Sequence, residues 1–367
     1  MNFRALKESD LFSLMKLYQL SKTLNKDLLL TNYQELLLNF QREDTLWFCI
    51  EENQELLSAV CLLIDREQSI CRIHRFYTLD SFRDSDEFNS FFWTELLNNL
   101  QKEGLQVLYT VTKNLSTSQQ KTSRDKGFKL LGVFPNFHGE FLKLVGLTAY
   151  FFEGVLQKRY KNFLLHPKLE KLYSVSKKEC NLNDLRLFDK PPYDRPQNQT
   201  IQLECIEAPQ FVLEKFLNLK QKKVISIHFY PFQLPNVLLT TADEKIQIFA
   251  RIFLDQNYAM IIGERLQTPV DPTHLYMQVS KLLRSKKISH IEMINDAADV
   301  LGIEAISRAG FIPCAYFPCL KKQEEQRRDY VVLSRCYEKI FETDSLITEI
   351  YSVYQDYLLE FRREDLC

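Results

Sequence analysis

Gly127-Phe128-Lys129-Leu130-Leu131-Gly132-Val133-Phe134-Pro135 has an echo later in the chain, Gly310-Phe311-Ile312-Pro313-Cys314-Ala315-Tyr316-Phe317-Pro318. The stretches lie 183 residues apart and agree at four of nine positions: Gly, Phe, Phe and Pro. Each reads as a helix that stops at glycine, which takes the left-handed conformation a helix C-terminus needs, followed by a strand. At the same offset Leu105 meets Ile288, Leu100 meets Leu283, and Phe88 meets Asp271 where the preceding helix begins. A recurring order of elements over such a span is the mark of a duplicated domain.

Reading outward gives the order twice. In the first half a strand, Phe3 to Leu6, is followed by a helix with Ser9 as its N-cap, then a second helix from near Thr31. Strands Leu46 to Glu51, Leu56 to Ile64 and Ile70 to Leu79 form a meander, the first turn falling at Glu52-Asn53-Gln54-Glu55. A helix from Glu87 to Lys102, a strand from Leu105 to Val111, a helix from Thr117 to Lys126 and a hairpin turning at His138-Gly139 complete it. The second half repeats this with strand Ile201 to Ile206, helix Gln210 to Leu219, and a meander Val237 to Thr241, Ile246 to Leu254 and Tyr258 to Glu264. Helix Thr273 to Ser285, strand Ile288 to Ile294, helix Ala297 to Ala309 and a last hairpin follow. The expected architecture is α/β of the α+β kind: two domains, each a twisted, mixed, largely antiparallel sheet flanked by helices. The boundaries read as 1–156, a linker or crossover at 157–200, a second domain at 201–340, and a C-terminal helix within 341–367. The linker is marked by Lys158-Arg159-Tyr160-Lys161 and by Pro191, Pro192 and Pro196.

Composition excludes several functions. Only nine of 367 residues are glycine, and GxGxxG, GxxxxGK[ST] and GxSxG are all absent, which removes the usual dinucleotide, P-loop and nucleophile-elbow readings. Lys and Arg total 47 against 48 Asp and Glu, for a net charge of −1; no basic excess points to nucleic acid. Nine cysteines with no CxxC pair, and an N-terminus with no apolar signal core, fit free thiols in the cytoplasm. No uncharged apolar run is long enough to span a membrane. His166, His228, His274 and His290 show no ligand spacing, so no metal is expected. Cys314 and Cys319, Trp47 and Trp93 read as core. Lys321-Lys322 and Arg327-Arg328 read as a solvated hairpin tip.

With these elements in place, both halves resemble the GNAT superfamily of acyl-CoA-dependent N-acyltransferases, in a tandem arrangement. Ile73-His74-Arg75-Phe76-Tyr77-Thr78-Leu79-Asp80-Ser81-Phe82-Arg83 resembles that family's fourth strand running into its pyrophosphate loop, and the two Gly-Phe pairs resemble the end of its fourth helix. The resemblance implies a fourth strand splayed from the fifth, with its backbone groups hydrogen-bonding the pantetheine arm, and a glycine-bearing loop presenting N–H groups to the pyrophosphate at a helix N-terminus. It implies acetyl-CoA or another acyl-CoA as co-substrate and a small-molecule or protein amine as acceptor. Phe76, Tyr77 and Thr78 would then offer backbone groups to the cofactor and Arg83 a guanidinium to a phosphate. His74 is the candidate base on the fourth strand of the first half and Glu264 its counterpart in the second. Asp86 and Phe88 stand where the loop glycines belong; at the 183 offset Leu266, Pro269 and Asp271 hold the three loop positions. Ser123 and Ile306 stand where a tyrosine is usual. The alternative function is a catalytically inactive ligand-binding or scaffold protein derived from the same fold.

Overall fold

The computed structural model describes residues 1–21, 28–112, 115–138, 141–189 and 201–337. The His138-Gly139 turn, the proline run of 191–196 and the expected C-terminal helix fall partly or wholly outside them. Contacts divide the described chain into two units. Unit 1 holds residues 1–131 and 145–157; unit 2 holds 132–144 and 158–337.

Unit 1 begins with strand β1 (Asn2–Ala5), helices α1 (Leu11–Leu20) and α2 (Tyr33–Phe40), and the meander β2 (Thr45–Glu52), β3 (Glu55–Asp65) and β4 (Ile70–Thr78). A helical turn α3 (Asp80–Arg83), helix α4 (Asp86–Lys102), strand β5 (Val107–Val111) and helix α5 (Thr117–Asp125) follow, then strands β6 (Lys129–His138) and β7 (Phe141–Phe151), whose residues 132–144 group with unit 2. Strand order is β1-β2-β3-β4-β5-β7, antiparallel except for β4 with β5. The β2–β3 turn needs left-handed residues, and Asn53 and Gln54 supply them at φ 49° and 66°. Alternation along β4 sends Tyr77 toward α1, edge-on to Tyr18, and Phe76 toward α4, stacked on Phe92. Ser9 does not cap α1: it lies in a single-turn helix over Glu8–Asp10, and the Asp10 carboxylate accepts the Lys7 N–H instead.

Unit 2 runs through helix α6 (Glu170–Cys180), strand β8 (Glu204–Ile206), helix α7 (Pro209–Gln221) and a two-residue strand β9 (Ser226–Ile227). Its meander is β10 (Val237–Thr240), β11 (Ile246–Phe253) and β12 (Tyr258–Leu266). Helix α8 (Pro272–Ser285), strand β13 (His290–Asp296), helix α9 (Val300–Arg308) and strands β14 (Ile312–Gln323) and β15 (Gln326–Cys336) complete it. Strand order is β8-β10-β11-β12-β13-β15-β14, again antiparallel except for one parallel pair, β12 with β13. The topology of unit 1 therefore recurs. Gly127 and Gly310 sit at φ 99° and 85° after α5 and α9, and the Phe128 and Phe311 amides reach back to Ser123 and Ile306 carbonyls at 3.0 and 3.3 Å. These bonds close each helix while burying the phenylalanine that follows.

Residues 157–200 are more than the expected crossover. Helix α6 lies among them, and Arg159, read as part of a basic linker, is buried. Its guanidinium meets Asp329 Oδ2 at 2.6 Å and donates to the hydroxyls of Tyr173 and Tyr316 at 3.2 Å each. Arg327 is buried as well, not part of a solvated hairpin tip. A register shift in β14 between Phe317 and Lys321 turns the Cys319 and Leu320 carbonyls aside, and buried Arg327 donates to them at 2.6 and 3.0 Å. Charged letters in a row hid two buried side chains, one completing a cluster of polar side chains and one satisfying backbone carbonyls.

Candidate acyl-donor clefts

The parallel strand pairs carry the feature that matters. In unit 1, β4 keeps register with β5 for three pairs only, Ile70–Arg72 against Val107–Tyr109, then runs on to Thr78. Against β3, Cys61 pairs with Arg75 and Leu62 with Ile73, so His74 is the extra residue of a β-bulge. In unit 2, β12 keeps register with β13 for three pairs, Tyr258–Met260 against His290–Glu292. Phe249 then pairs with Gly263 and Ala250 with Ile261, so Ile262 is the extra residue. Two strands of unrelated sequence bulge at the same place and leave their parallel neighbours at the same place.

These registers revise the repeat. Ile70 corresponds to Tyr258, an offset of 188, whereas Val107 to His290 keeps 183. Loops between β4 and β5 differ by five residues, so Leu266, Pro269 and Asp271 are not the counterparts of Arg83, Asp86 and Phe88. Matching the helix caps, Ser85 and Asp271, puts Pro269, Pro272 and His274 there instead.

In unit 1 the named residues fall along one continuous run. His74 is half-buried at the bulge. The side chains of Phe76, Tyr77 and Thr78 belong to the interior: Phe76 lies 4.4 Å from the Phe92 ring, Tyr77 joins the α1–α2 core, and Thr78 shares a hydrogen bond with Ser58 at 3.1 Å. Any contact they make with a ligand is through backbone. Arg83 ends the α3 turn with its Nη1 3.9 Å from Asp80. Its carbonyl is fixed by Asn89 Nδ2 at 2.9 Å and Ser116 Oγ at 3.3 Å. Buried Asn89 also donates to Ser118, whose hydroxyl donates to Asp86 at 2.6 Å. Sequence reading missed this clamp, and a polar residue on the apolar stripe of α4 was its only signal. At the start of α4 the Ser85 hydroxyl accepts the Phe88 N–H, and Asp86 and Glu87 supply negative charge to the first turn.

Unit 2 fills its cleft with its own chain. Strand β9 pairs antiparallel with β12, Ile227 opposite Gly263 and Ser226 opposite Glu264. The His228 N–H continues the pairing to the Ile262 carbonyl at 3.0 Å, and His228 Nδ1 lies 3.1 Å from the Ile294 carbonyl on β13. Tyr230 then donates to Glu292 at 3.0 Å, at the point where β12 and β13 part, and Tyr258 donates to the other oxygen at 2.7 Å. Burial and the neighbouring carboxylate push the Tyr230 hydroxyl well above its usual pKa, which keeps it a donor. Gly263 makes this possible: a Cβ there would stand 2.8 Å from the Ser226 carbonyl oxygen. A glycine inside a predicted strand was the signal for this close approach. Glu264 is not brought near His74 within one unit; it accepts the Tyr276 hydroxyl at 2.9 Å. At the start of α8 the Asp271 carboxylate accepts the Thr273 and His274 N–H groups at 3.2 and 3.1 Å, and Pro272 has none to offer. That carboxylate stands where an anion would bind. Ser123 and Ile306, at the positions of the usual tyrosine, are both buried.

No protein-family model matches the chain, and the search of curated proteins gives no match. Among solved structures it is similar to a ribosomal-protein-alanine N-acetyltransferase from Brucella melitensis, at 15% identity and a TM-score of 0.34, covering 41% of this chain and 99% of that one. It is similar to an N-acetyltransferase from Staphylococcus aureus Mu50, at 16% identity and a TM-score of 0.34, covering 41% and 97%. An aminoglycoside 6'-N-acetyltransferase from Enterococcus faecium aligns at 14% identity with a TM-score of 0.33, covering 41% and 97%. Among the described residues no group of side chains could hold a metal ion, and no helix is long and apolar enough to cross a membrane.

Proposed function

We propose that the protein is a GNAT-like N-acyltransferase with duplicated domains, moving an acyl group, acetyl in the first instance, from acyl-CoA to an amine, and that unit 1 carries the reaction. One observation supports this above the others. The diverging edge of β12 takes an extended backbone, β9, as its partner. The corresponding edge of β4 is built with the same bulge and the same three-pair register. The pantetheine arm of coenzyme A contains two amides and is extended, so it can pair with His74, Arg75 and Phe76 as β9 pairs with Ile262, Gly263 and Glu264, with Tyr77 and Thr78 continuing the edge. Arg83, at the end of the following turn, would meet a phosphate by a charge-assisted bond. His74 at the bulge is the base this reading assigns, taking the amine proton either directly or through water. The amine lone pair attacks the thioester carbonyl and its proton passes to that base; the C–S bond breaks, and the leaving thiolate takes up a proton from the protonated base or from water, which restores the base.

Titration calorimetry with acetyl-CoA and longer acyl-CoAs tests binding, and an amine panel tests turnover. Saturable heat that Arg83→Ala weakens supports the assignment; no heat at millimolar ligand refutes it. The second reading, a ligand-binding or scaffold protein without catalysis, is favoured by the filled cleft of unit 2 and the acidic first turn of α4. It predicts acyl-CoA binding, or none, with no turnover of any amine.

A further inference from the structure

Unit 2 contains a second feature, separate from its filled cleft. A cavity of about 550 Å³ opens where the N-terminus of α7 meets the end of β11. We propose that it is a binding site for a small molecule carrying a carboxylate or phosphate on an apolar body. Pro209, Val237, Ile252 and Leu254 form apolar wall, and the volume is that of an ordinary small-ligand site.

The polar groups point to an anion. Arg251 lines the cavity from β11, on the face that α7 covers. Its Nε is fully buried with no hydrogen-bond partner, and its guanidinium rests over the Phe253 ring at 5.2 Å. A cation held partly out of water against an aromatic face, with no carboxylate paired to it among the described residues, is incomplete until an anion arrives. The opening turn of α7 adds to the same field. Ala208 at the N-cap offers no side-chain oxygen, Pro209 has no N–H, and no acidic residue occupies the turn. The first helical bond is from Val212 to Ala208, so the Gln210 and Phe211 amides lie at the positive end of a 13-residue helix.

The remaining charged lining groups sit at the rim: one mutually paired couple and one exposed carboxylate. Lys286 and Glu207 neutralise each other at 2.6 Å on the exposed rim. The Asn236 amide is engaged at both ends by the Ile252 backbone, at 2.7 and 2.9 Å. Asp255 is exposed at the mouth. An anionic head at Arg251 would leave its carbon body against Ile252, Phe253 and Leu254.

Calorimetric titration of the full chain with inorganic phosphate, butyrate and hexanoate tests the assignment. Saturable binding is expected, with hexanoate tighter than butyrate by roughly tenfold, because two further methylenes are buried. A phosphate preference identifies a phosphorylated ligand; a carboxylate preference identifies an organic acid. Arg251→Met keeps the stem on Phe253 and removes the charge, and it is expected to weaken both series at least tenfold while leaving hexanol binding unchanged. Arg251→Lys keeps the charge without the fork and is expected to fall between. Arg66→Ala, an exposed guanidinium of unit 1, leaves these titrations unchanged. No saturable binding by either series at millimolar ligand overturns the proposal, and so does equal affinity in a folded Arg251→Met protein.

Discussion

Replacing Gly263 by alanine tests the reading of the unit 2 cleft directly. The new methyl carbon would lie 2.8 Å from the Ser226 carbonyl oxygen, 3.4 Å from Phe216 and 3.5 Å from Ile225. The first contact decides the outcome. Ser226 O is main chain within β9, so it cannot rotate away as a side-chain end could; the strand must shift bodily. Overpacking of this kind costs about 1–3 kcal/mol. If β9 leaves β12 instead, the His228-to-Ile262 bond is lost and Glu292 loses its Tyr230 donor, a buried vacancy costing about 1–3 kcal/mol. Both routes give the same magnitude. For a domain of this size it corresponds to a fall in Tm of roughly 2–4 °C per kcal/mol. Thermal unfolding of Gly263→Ala measures the loss, and hydrogen exchange at the His228 amide, which bonds the Ile262 carbonyl, shows where it falls. Unchanged Tm together with unchanged protection at that amide would refute the argument that the cleft is sealed by backbone contact.

Two further outcomes follow from buried charge. Arg159→Met removes the cation that Asp329 faces and leaves a carboxylate in the interior, so unit 2 should lose about 3–5 kcal/mol of stability in urea unfolding; a loss below one fifth of that would mean Asp329 is not held by this pair. Burial depresses the pKa of His290 to about 3, so this residue stays neutral in the fold while the unfolded chain takes up a proton below its ordinary value near 6.5. The unfolded state therefore binds more protons between those limits. Stability is fully present above pH 6.5 and falls with acidity by up to about 1.4 kcal/mol per pH unit. His290→Phe keeps a ring beside Tyr258 and should flatten that slope in unfolding measured from pH 7 to 4. An unaltered slope would place the acid sensitivity elsewhere.

Periodicity and punctuation made most strands and helices legible, because those signals are local. Gly127 and Gly310 announce helix ends since only glycine takes that backbone at little cost, and Asn53 announces a turn for a related reason. What escaped the sequence was non-local. Arg159 looks like one letter of a basic linker until Asp329, 170 residues on, is found against it. Arg327 looks like a hairpin-tip charge until the register shift in β14 turns two carbonyls toward it. The 183 offset is true from β5 onward and false at β4 because a loop insertion leaves no mark in a pattern compared without gaps.

His74 and Glu264 illustrate how residue type alone misleads about a site. Each reads as a base on an equivalent strand, yet the bulge that holds His74 in unit 1 holds Ile262 in unit 2, and Glu264 corresponds to Phe76. What the two units share is a backbone device: a parallel strand that bulges, leaves its neighbour and exposes an edge. Unit 2 closes that edge with an isoleucine-flanked strand and a glycine, while the helix ends that follow in both units carry their own carboxylates. An extended donor entering unit 1 would therefore be held by strand pairing and Arg83 more than by a phosphate cradle. Its affinity should then depend weakly on the nucleotide, so that a phosphopantetheine thioester, which keeps the one phosphate Arg83 can meet, retains most of the binding of the full acyl-CoA. Calorimetry with both ligands measures this, and a thousandfold loss on removing the nucleotide would return the cradle to the centre of recognition.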